Sequence, residues 1–427
     1  MKLNQKLKSI KSFFTGIGLS LMAGALITGC GNSGGNIVKD IHIGLHNDNV
    51  LQIQIDVNTI KDAKAYVEYW SDSLGDAHSY RSNLSPNGTS HSFVLENILP
   101  NTAYSFRVIT DQDNKEVKTK KYQFRSQPLP MWLKDQFKYS AVDPASLPES
   151  FKNGFMLMNK REAPGLVYLV DYLGRLRWYH MVNGTGFKVS HFTHQNSIIS
   201  ILGQSDEPTS YGSEILEINL NGDTLTHLKK GQNDFKYTLH HEIIKHGPDE
   251  ILTIYEDKRP FDLRSVGGGA KDTVNGDGIL LMDKEGHKLW QWSVFDEINP
   301  LSDPHIVKNR KDWLHANSLN YDLDSNYLLS FYNIGQIWKI DAHTGKVLWK
   351  MGKGGNIKLP ADCEFTQSHT VHINPYGKLM FFDNGVEKQQ SEVFAFAMNE
   401  QEKRADADLH FKLPKEIYNG RMGSAYM

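Results

Sequence analysis

Three histidines stand at matching places in a repeated strand–turn–strand segment. They are His241 in LHHEIIKHGPDEILTIYED, His315 in DWLHANSLNYDLDSNYLLSFYN and His369 in QSHTVHINPYGKLMFFDN. Counted from the second strand, His241 is ten residues before Ile251 and His369 ten before Leu379; His315 is twelve before Tyr327, which a turn two residues longer explains. Imidazoles held in register predict a converging cluster, whereas scattered core histidines need keep no register. An imidazole titrates at about pH 6.5 when unperturbed, so it is neutral and nucleophilic near pH 7. Several on one rim can divide the work of nucleophile, general acid and oxyanion donor. Three histidines also suit a metal ion. However, no carboxylate accompanies them at equivalent positions and no HxH or HExxH spacing occurs, so no metal is assigned. In a fourth unit Lys188 lies ten residues before Ile198, where a cation suits an anionic substrate; His191 and His194 compete for that position.

The elements that must carry these residues repeat as well. Each pair of strands is followed by a second hairpin, in copies that begin at Val167, Ile215, Ile279, Ile337 and Val393. The offsets are 215−167 = 48, 279−215 = 64, 337−279 = 58 and 393−337 = 56. Four short strands in each unit of roughly 50 residues is the period of β-propeller blades. The turns LNGD, KEGH and HTGK supply Gly or Asn for hairpins that need positive φ. The expected fold class is all-β, with a propeller over residues 131–427 whose first strands line a channel ringed by the histidines.

From 37 to 127 the pattern changes to alternating strands: LQIQIDV, AKAYVEYW, HSFVLENI, AYSFRVITD and KKYQFRS. This predicts a small β-sandwich, joined to the propeller by Gln127-Pro128-Leu129-Pro130. LPNTAYSFRV resembles the Leu-Pro-x-Thr-x-Tyr-x-Phe signature of fibronectin type III domains.

The 427 residues are 39% hydrophobic and 11% aromatic with net charge −2, so a large globular core is expected and no basic excess points to nucleic acid. Lys2, Lys6, Lys8 and Lys11 precede an apolar run from Phe13 to Ile27, and Leu26-Ile27-Thr28-Gly29-Cys30 reads as a bacterial lipobox. Residues 1–29 are then a lipoprotein signal peptide and residues 30–36 a leash. Lipidated Cys30 would tether the protein to the periplasmic side of a bacterial membrane. Cys363 would be left without a disulfide partner, as a structural thiol.

The segments His240-His241-Glu242, Trp313-Leu314-His315-Ala316-Asn317-Ser318, Lys339-Ile340-Asp341 through Gly345 to Trp349, and Gln367-Ser368-His369-Thr370 resemble the bacterial arylsulfate sulfotransferases that do not use PAPS. The resemblance covers roughly residues 37–427. It implies a six-bladed propeller behind a β-sandwich, no cofactor, and transfer of a sulfuryl group between phenols through a sulfohistidine. His369 would be the nucleophile. His241 and His315 would bind sulfuryl oxygens or shuttle the phenolic proton, and Asn317, Tyr332, Lys188 and Thr370 would contribute to substrate binding. Partners would be small phenols and aryl sulfates, with a homodimer as the assembly considered. The alternative is a non-catalytic propeller lipoprotein that binds a small anionic or aryl ligand.

One departure bears on that choice. The family carries an arginine on the strand after WxHxNS; here Tyr332 stands in its place, and no arginine occurs between Arg310 and Arg404. Loss of one oxyanion donor can cost roughly 10²–10³ in rate, and Lys188 is the substitute considered. Tyr255, Trp313, Phe331 and Tyr332 are candidates to stack on an aryl group. The insert YEDKRPFDLRSVGGGAKDTVNGDG reads as a long loop that could bring Arg259 and Arg264 to the channel mouth. After the fifth hairpin copy, PKEIYNGRMGSAYM offers at most one inner strand of a sixth blade, with Arg421 near its start, so the last blade is expected to be incomplete.

Overall fold

The computed structural model describes residues 25–28, 36–112, 115–134 and 143–427. Cys30 and the rest of the expected leader and leash lie outside the described residues, apart from 25–28 and Asn36. The chain divides into two compact units, Met1–Tyr139 and Ser140–Met427. Among the described residues no helix is long and apolar enough to cross a membrane.

In the first unit one long strand, Asn49–Ser71, serves two layers. Its first half pairs with Val38–His46 and Gly88–Leu95; its second half pairs with Tyr80–Arg81 and Ala103–Gln112. The change of layer falls at an irregularity between Asn58 and Ala63. Alternation then turns Ile53, Ile55 and Val57 from one half, and Ala65, Val67 and Tyr69 from the other, into a shared core with Phe93, Phe106 and Val108. Ala25–Thr28 pairs with Asp40–Ile43.

The second unit is a succession of antiparallel sheets, five among the described residues. Sheet 1 comprises Met156–Lys160, Gly165–Val170 and Leu176–Val182. Sheet 2 comprises Gly186–Phe192, Ser197–Gly203, Glu214–Asn219 and Thr224–Lys229. Sheet 3 has Leu239–His246, Glu250–Phe261, Asp272–Asp283 and Lys288–Ser293, with Tyr211–Gly212 added beside its first strand. Sheet 4 has Ala316–Tyr321, Tyr327–Phe331, Gln336–Ile340 and Val347–Gly352. Sheet 5 has Ser368–Ile373, Leu379–Asp383, Glu392–Asn399 and Arg404–Lys412. The first strands of sheets 2 to 5 pack one on the next, and Met156–Lys160 packs on the first strand of sheet 2. This is the blade arrangement of a propeller.

The last two strands of every sheet carry one bulge at a common place: Leu169/Val170, Glu217/Ile218, Leu281/Met282, Lys339/Ile340 and Ala395/Phe396. By that mark, the three strands of sheet 1 are the second, third and fourth of the pattern. Its first-strand position is empty among the described residues.

Two expectations are corrected. The insert in sheet 3 is no loop: its flanks extend the second and third strands, which stay paired out to Phe261 and Asp272. Arg259 pairs with Asp257 and Asp296, and Arg264 with Asp262, so neither cation is free for a substrate. Residues 413–427 form no inner strand. The carbonyls of Asn419, Gly420 and Met422 instead accept hydrogen bonds from side chains of sheets 4 and 5.

Candidate active site

The histidines sit where the first strands begin and bulge. His240 pairs with Ile254, but Ile243 already pairs with Thr253, which leaves His241 and Glu242 outside the ladder. Sheet 4 bulges between Ala316 and Ser318, and sheet 5 between His369 and His372. A bulge re-aims side chains at the mouth of a sheet. Three residues here take left-handed backbone angles: His241 at φ 60°, His315 at φ 59° and Thr370 at φ 50°. For a β-branched residue such as Thr370 that conformation is strained.

The turn argument for His315 does not hold. Tyr321 pairs with Tyr327 and Ile373 with Leu379 across turns of the same length, so His315 lies two residues further out and just before its strand. It still meets its partners. The ring centroids of His241 and His315 are 4.8 Å apart, and Tyr332 lies 5.5 Å from both His315 and His369. Tyr211 stacks on His240 at 4.8 Å and meets the edge of His241 at 5.8 Å.

Hydrogen bonds hold the strands that carry these rings. Asn317 Nδ2 donates to the Ser368 carbonyl at 2.8 Å, and Val371 N–H donates to Ser318 Oγ at 2.8 Å. Asp383 accepts the N–H groups of Thr366, Gln367 and Gly385. His369 Nδ1 is 2.6 Å from Asn384 Oδ1. The amide nitrogen of Asn384 donates to the carbonyls of Asn419 (2.8 Å) and Met422 (3.2 Å). That fixes Oδ1 as an acceptor, so Nδ1 of His369 must carry the proton and Nε2 the lone pair. Burial beside His315 pushes the His369 pKa down to about 4, against the pull of the Asn384 bond.

His315 is the exception. Burial lowers its pKa, but Asp312, whose carboxylate accepts from Nδ1 at 2.9 Å, outweighs burial and holds the value above the ordinary one. His240 is pushed down to about 3 by burial and by His315. His241 is held well below 6.5 by burial and by His240, His315, His369 and Arg161. Asp277, which accepts from Ala316 N–H at 3.1 Å and lies 3.4 Å from His240 Nε2, is raised to about 7 by burial. The site therefore pairs a neutral imidazole, His369, with an imidazole that favours its proton, His315. This is the separation of acid and base roles that group transfer needs.

Residues 141–407, more than half of the chain, match the family described as Arylsulfotransferase (ASST). The chain belongs to this family.

No curated protein matches this chain. Among solved structures it is similar to a Bacteroides caccae protein of unknown function, at 10% identity and TM-score 0.35 over 60% of this chain and 71% of that one. It is similar to the β-propeller domain of Myceliophteria thermophila Cps50 (Swd1), at 10% identity and TM-score 0.36 over 61% and 72%. The Dos1 propeller overlaps at 10% identity and TM-score 0.33 over 60% and 56%. At these scores the overlaps carry no argument.

The other sequence-selected residues divide. Tyr332 is half-buried between His315 and His369, with its hydroxyl donating to the Gly420 carbonyl at 2.6 Å. Thr370 accepts from Ala425 N–H at 3.4 Å. Asn317 is buried and ties sheet 4 to sheet 5, so it positions the strand of His369. Lys188 is the bulged residue of sheet 2, but its buried ammonium turns to the Glu207 carbonyl at 3.4 Å. It has no contact with the histidines. Tyr255, Trp313 and Phe331 are core. Cys363 is buried 3.9 Å from His410 Nδ1, a histidine outside the cluster of His241, His315 and His369. Among the described residues no cluster of His, Cys, Asp or Glu is placed to hold a metal ion.

Asp312, Asp277, Asn384, Tyr211 and Arg161 were not singled out in the sequence. Asp312 had a visible signal, because it stands three residues before His315 and so corrects the absence of a carboxylate partner.

Proposed function

We propose that this arylsulfotransferase moves a sulfuryl group from a phenolic sulfate ester to an acceptor phenol, without PAPS, through a sulfohistidine at His369. The observation that carries the reading is the fixed tautomer of His369, whose unprotonated Nε2 belongs to a ring kept neutral beside two further histidines. In the first step the Nε2 lone pair forms a bond to sulfur as the aryl O–S bond breaks, and its electron pair leaves with the phenoxide. His315, its charge supported by Asp312, gives that phenoxide a proton. In the second step an acceptor phenol returns a proton to His315 and attacks the sulfur, which frees His369. His241 faces the sulfuryl oxygens. Sulfuryl transfer resembles phosphoryl transfer in its loose, in-line character, so positioning and charge do most of the work.

The test is an assay of the protein with a chromogenic aryl sulfate and excess phenol. Acceptor-dependent release of the chromophore is expected, with a transient mass increase of one SO₃ on the peptide containing His369. Binding of aryl sulfate with neither transfer nor adduct would instead establish the non-catalytic lipoprotein reading.

Three further parts belong to this reading. The layer pairing of the first unit, with Leu99 N–H donating to the Tyr104 hydroxyl at 2.9 Å, supports a fibronectin III-like sandwich. The five blade-like sheets among the described residues support a propeller, and its count of six blades is what the family resemblance implies. The lipobox at Cys30 supports a lipid-anchored protein on the periplasmic side of a membrane.

A further inference from the structure

Sheet 1 carries an arginine at the place where sheets 4 and 5 bring side chains to the histidines. In sheets 1, 4 and 5 the last paired residues of the second strand are Lys160, Phe331 and Asp383, opposite Leu166, Gln336 and Glu392. The next residue is Arg161, Tyr332 and Asn384 in turn. Tyr332 and Asn384 both bring their side chains to the histidines. The shared bulge sets sheet 1 in the same frame, so register carries Arg161 to the same rim.

The backbone around Arg161 is clamped. A Cβ on Gly186 would lie 1.9 Å from the Arg161 carbonyl oxygen, and a Cβ on Gly165 would lie 2.7 Å from that of Thr185. Only glycine permits both approaches. Ala163 N–H donates to Ser205 Oγ at 3.1 Å, and Asn159 Nδ2 donates to the Phe187 carbonyl at 2.5 Å. The guanidinium itself has no carboxylate or hydrogen-bond partner among the described residues. It lies close enough to His241 to help hold that ring neutral. Lys188, Arg259 and Arg264 are all turned to other partners.

A guanidinium with no carboxylate partner, near enough to His241 to act on it, lacks an anion, and its planar fork fits two oxygens of a tetrahedral oxyanion. We propose that Arg161 binds the sulfuryl oxygens of the substrate, supplying a cation to the site from sheet 1. The identity of the anion as a sulfuryl group rests on the proposed function; the anion site does not.

The experiment titrates inorganic sulfate into the full chain by calorimetry, for wild type, Arg161→Ala, Arg161→Lys and, as a control, Arg264→Ala. Circular dichroism verifies folding. Arg161→Ala is expected to weaken sulfate binding at least tenfold, Arg161→Lys less, and Arg264→Ala not at all. With an aryl sulfate, kcat/KM of Arg161→Ala should fall 10²–10³-fold, and added guanidinium ion should restore part of it. Sulfate binding that depends on Arg161 in a protein without transfer activity would leave this site standing and remove the proposed function. Equal sulfate affinity in wild type and Arg161→Ala, or no sulfate binding by wild type, overturns the assignment.

Discussion

His369 can act as a nucleophile only while Nε2 keeps its lone pair, and a single amide sets that condition. Asn384→Leu should lower kcat by about tenfold or more with a smaller change in KM, because the ring loses its partner but not its place. Asn384→Asp should behave differently. A carboxylate at Nδ1 favours the charged ring, so the acid limb of kcat/KM, expected near pH 4 in wild type, should move up by one unit or more. An unmoved limb would show that another group titrates there. The same shift has a stability consequence. Unfolded His369 takes up a proton near pH 6.5, the folded ring only near pH 4. Between those values the unfolded chain binds more protons, so the stabilisation is complete above pH 6.5 and is lost as pH falls toward 4. The stability difference between wild type and His369→Asn, followed by denaturant unfolding, should therefore decline across that window by up to about 1.4 kcal/mol per pH unit.

At the scale of elements, the site depends on places where the ladder is broken. Thr370 is held at φ 50° in a bulge, a conformation Asn accepts more readily than a β-branched residue. Thr370→Asn should raise the unfolding free energy by about 1 kcal/mol, whereas Thr370→Val should not. Asn317→Ala removes the bond to the Ser368 carbonyl and should cost about 1–2 kcal/mol, with slower transfer because the strand of His369 shifts. The limits of the sequence reading lie in these bulges. The count that aligned His241 with His369 is measured from the turn and survives into the structure. The count for Lys188 leads to a bulged residue whose ammonium goes to the Glu207 carbonyl instead. Arg161, Tyr211, Tyr332 and Asn384 lie just past or beyond second strands. A reading that followed only the first strands reaches Tyr332 alone, and that one through family resemblance.

At the scale of the whole molecule, the third and fourth strands were the most legible part. Five hairpin copies in the sequence became five bulged strand pairs, because their apolar faces and glycine turns are local signals. The state of sheet 1 and the path of residues 413–427 were not legible, since both depend on contacts between distant segments. Every residue placed in the site belongs to the second unit, Ser140–Met427. A protein reduced to that unit should retain acceptor-dependent transfer in the same assay, and its loss in a folded fragment would assign the first unit a part in the reaction. The link from Asn384 to the Asn419 and Met422 carbonyls has one more consequence. An amide has two faces of opposite hydrogen-bonding sense, and only those two distant carbonyls choose between them. If the backbone at 419–422 moved away, the amide could turn over, the proton on His369 would migrate to Nε2, and that lone pair would be lost with no histidine displaced. The tautomer of the ring is thus written in a stretch of main chain fifty residues further along.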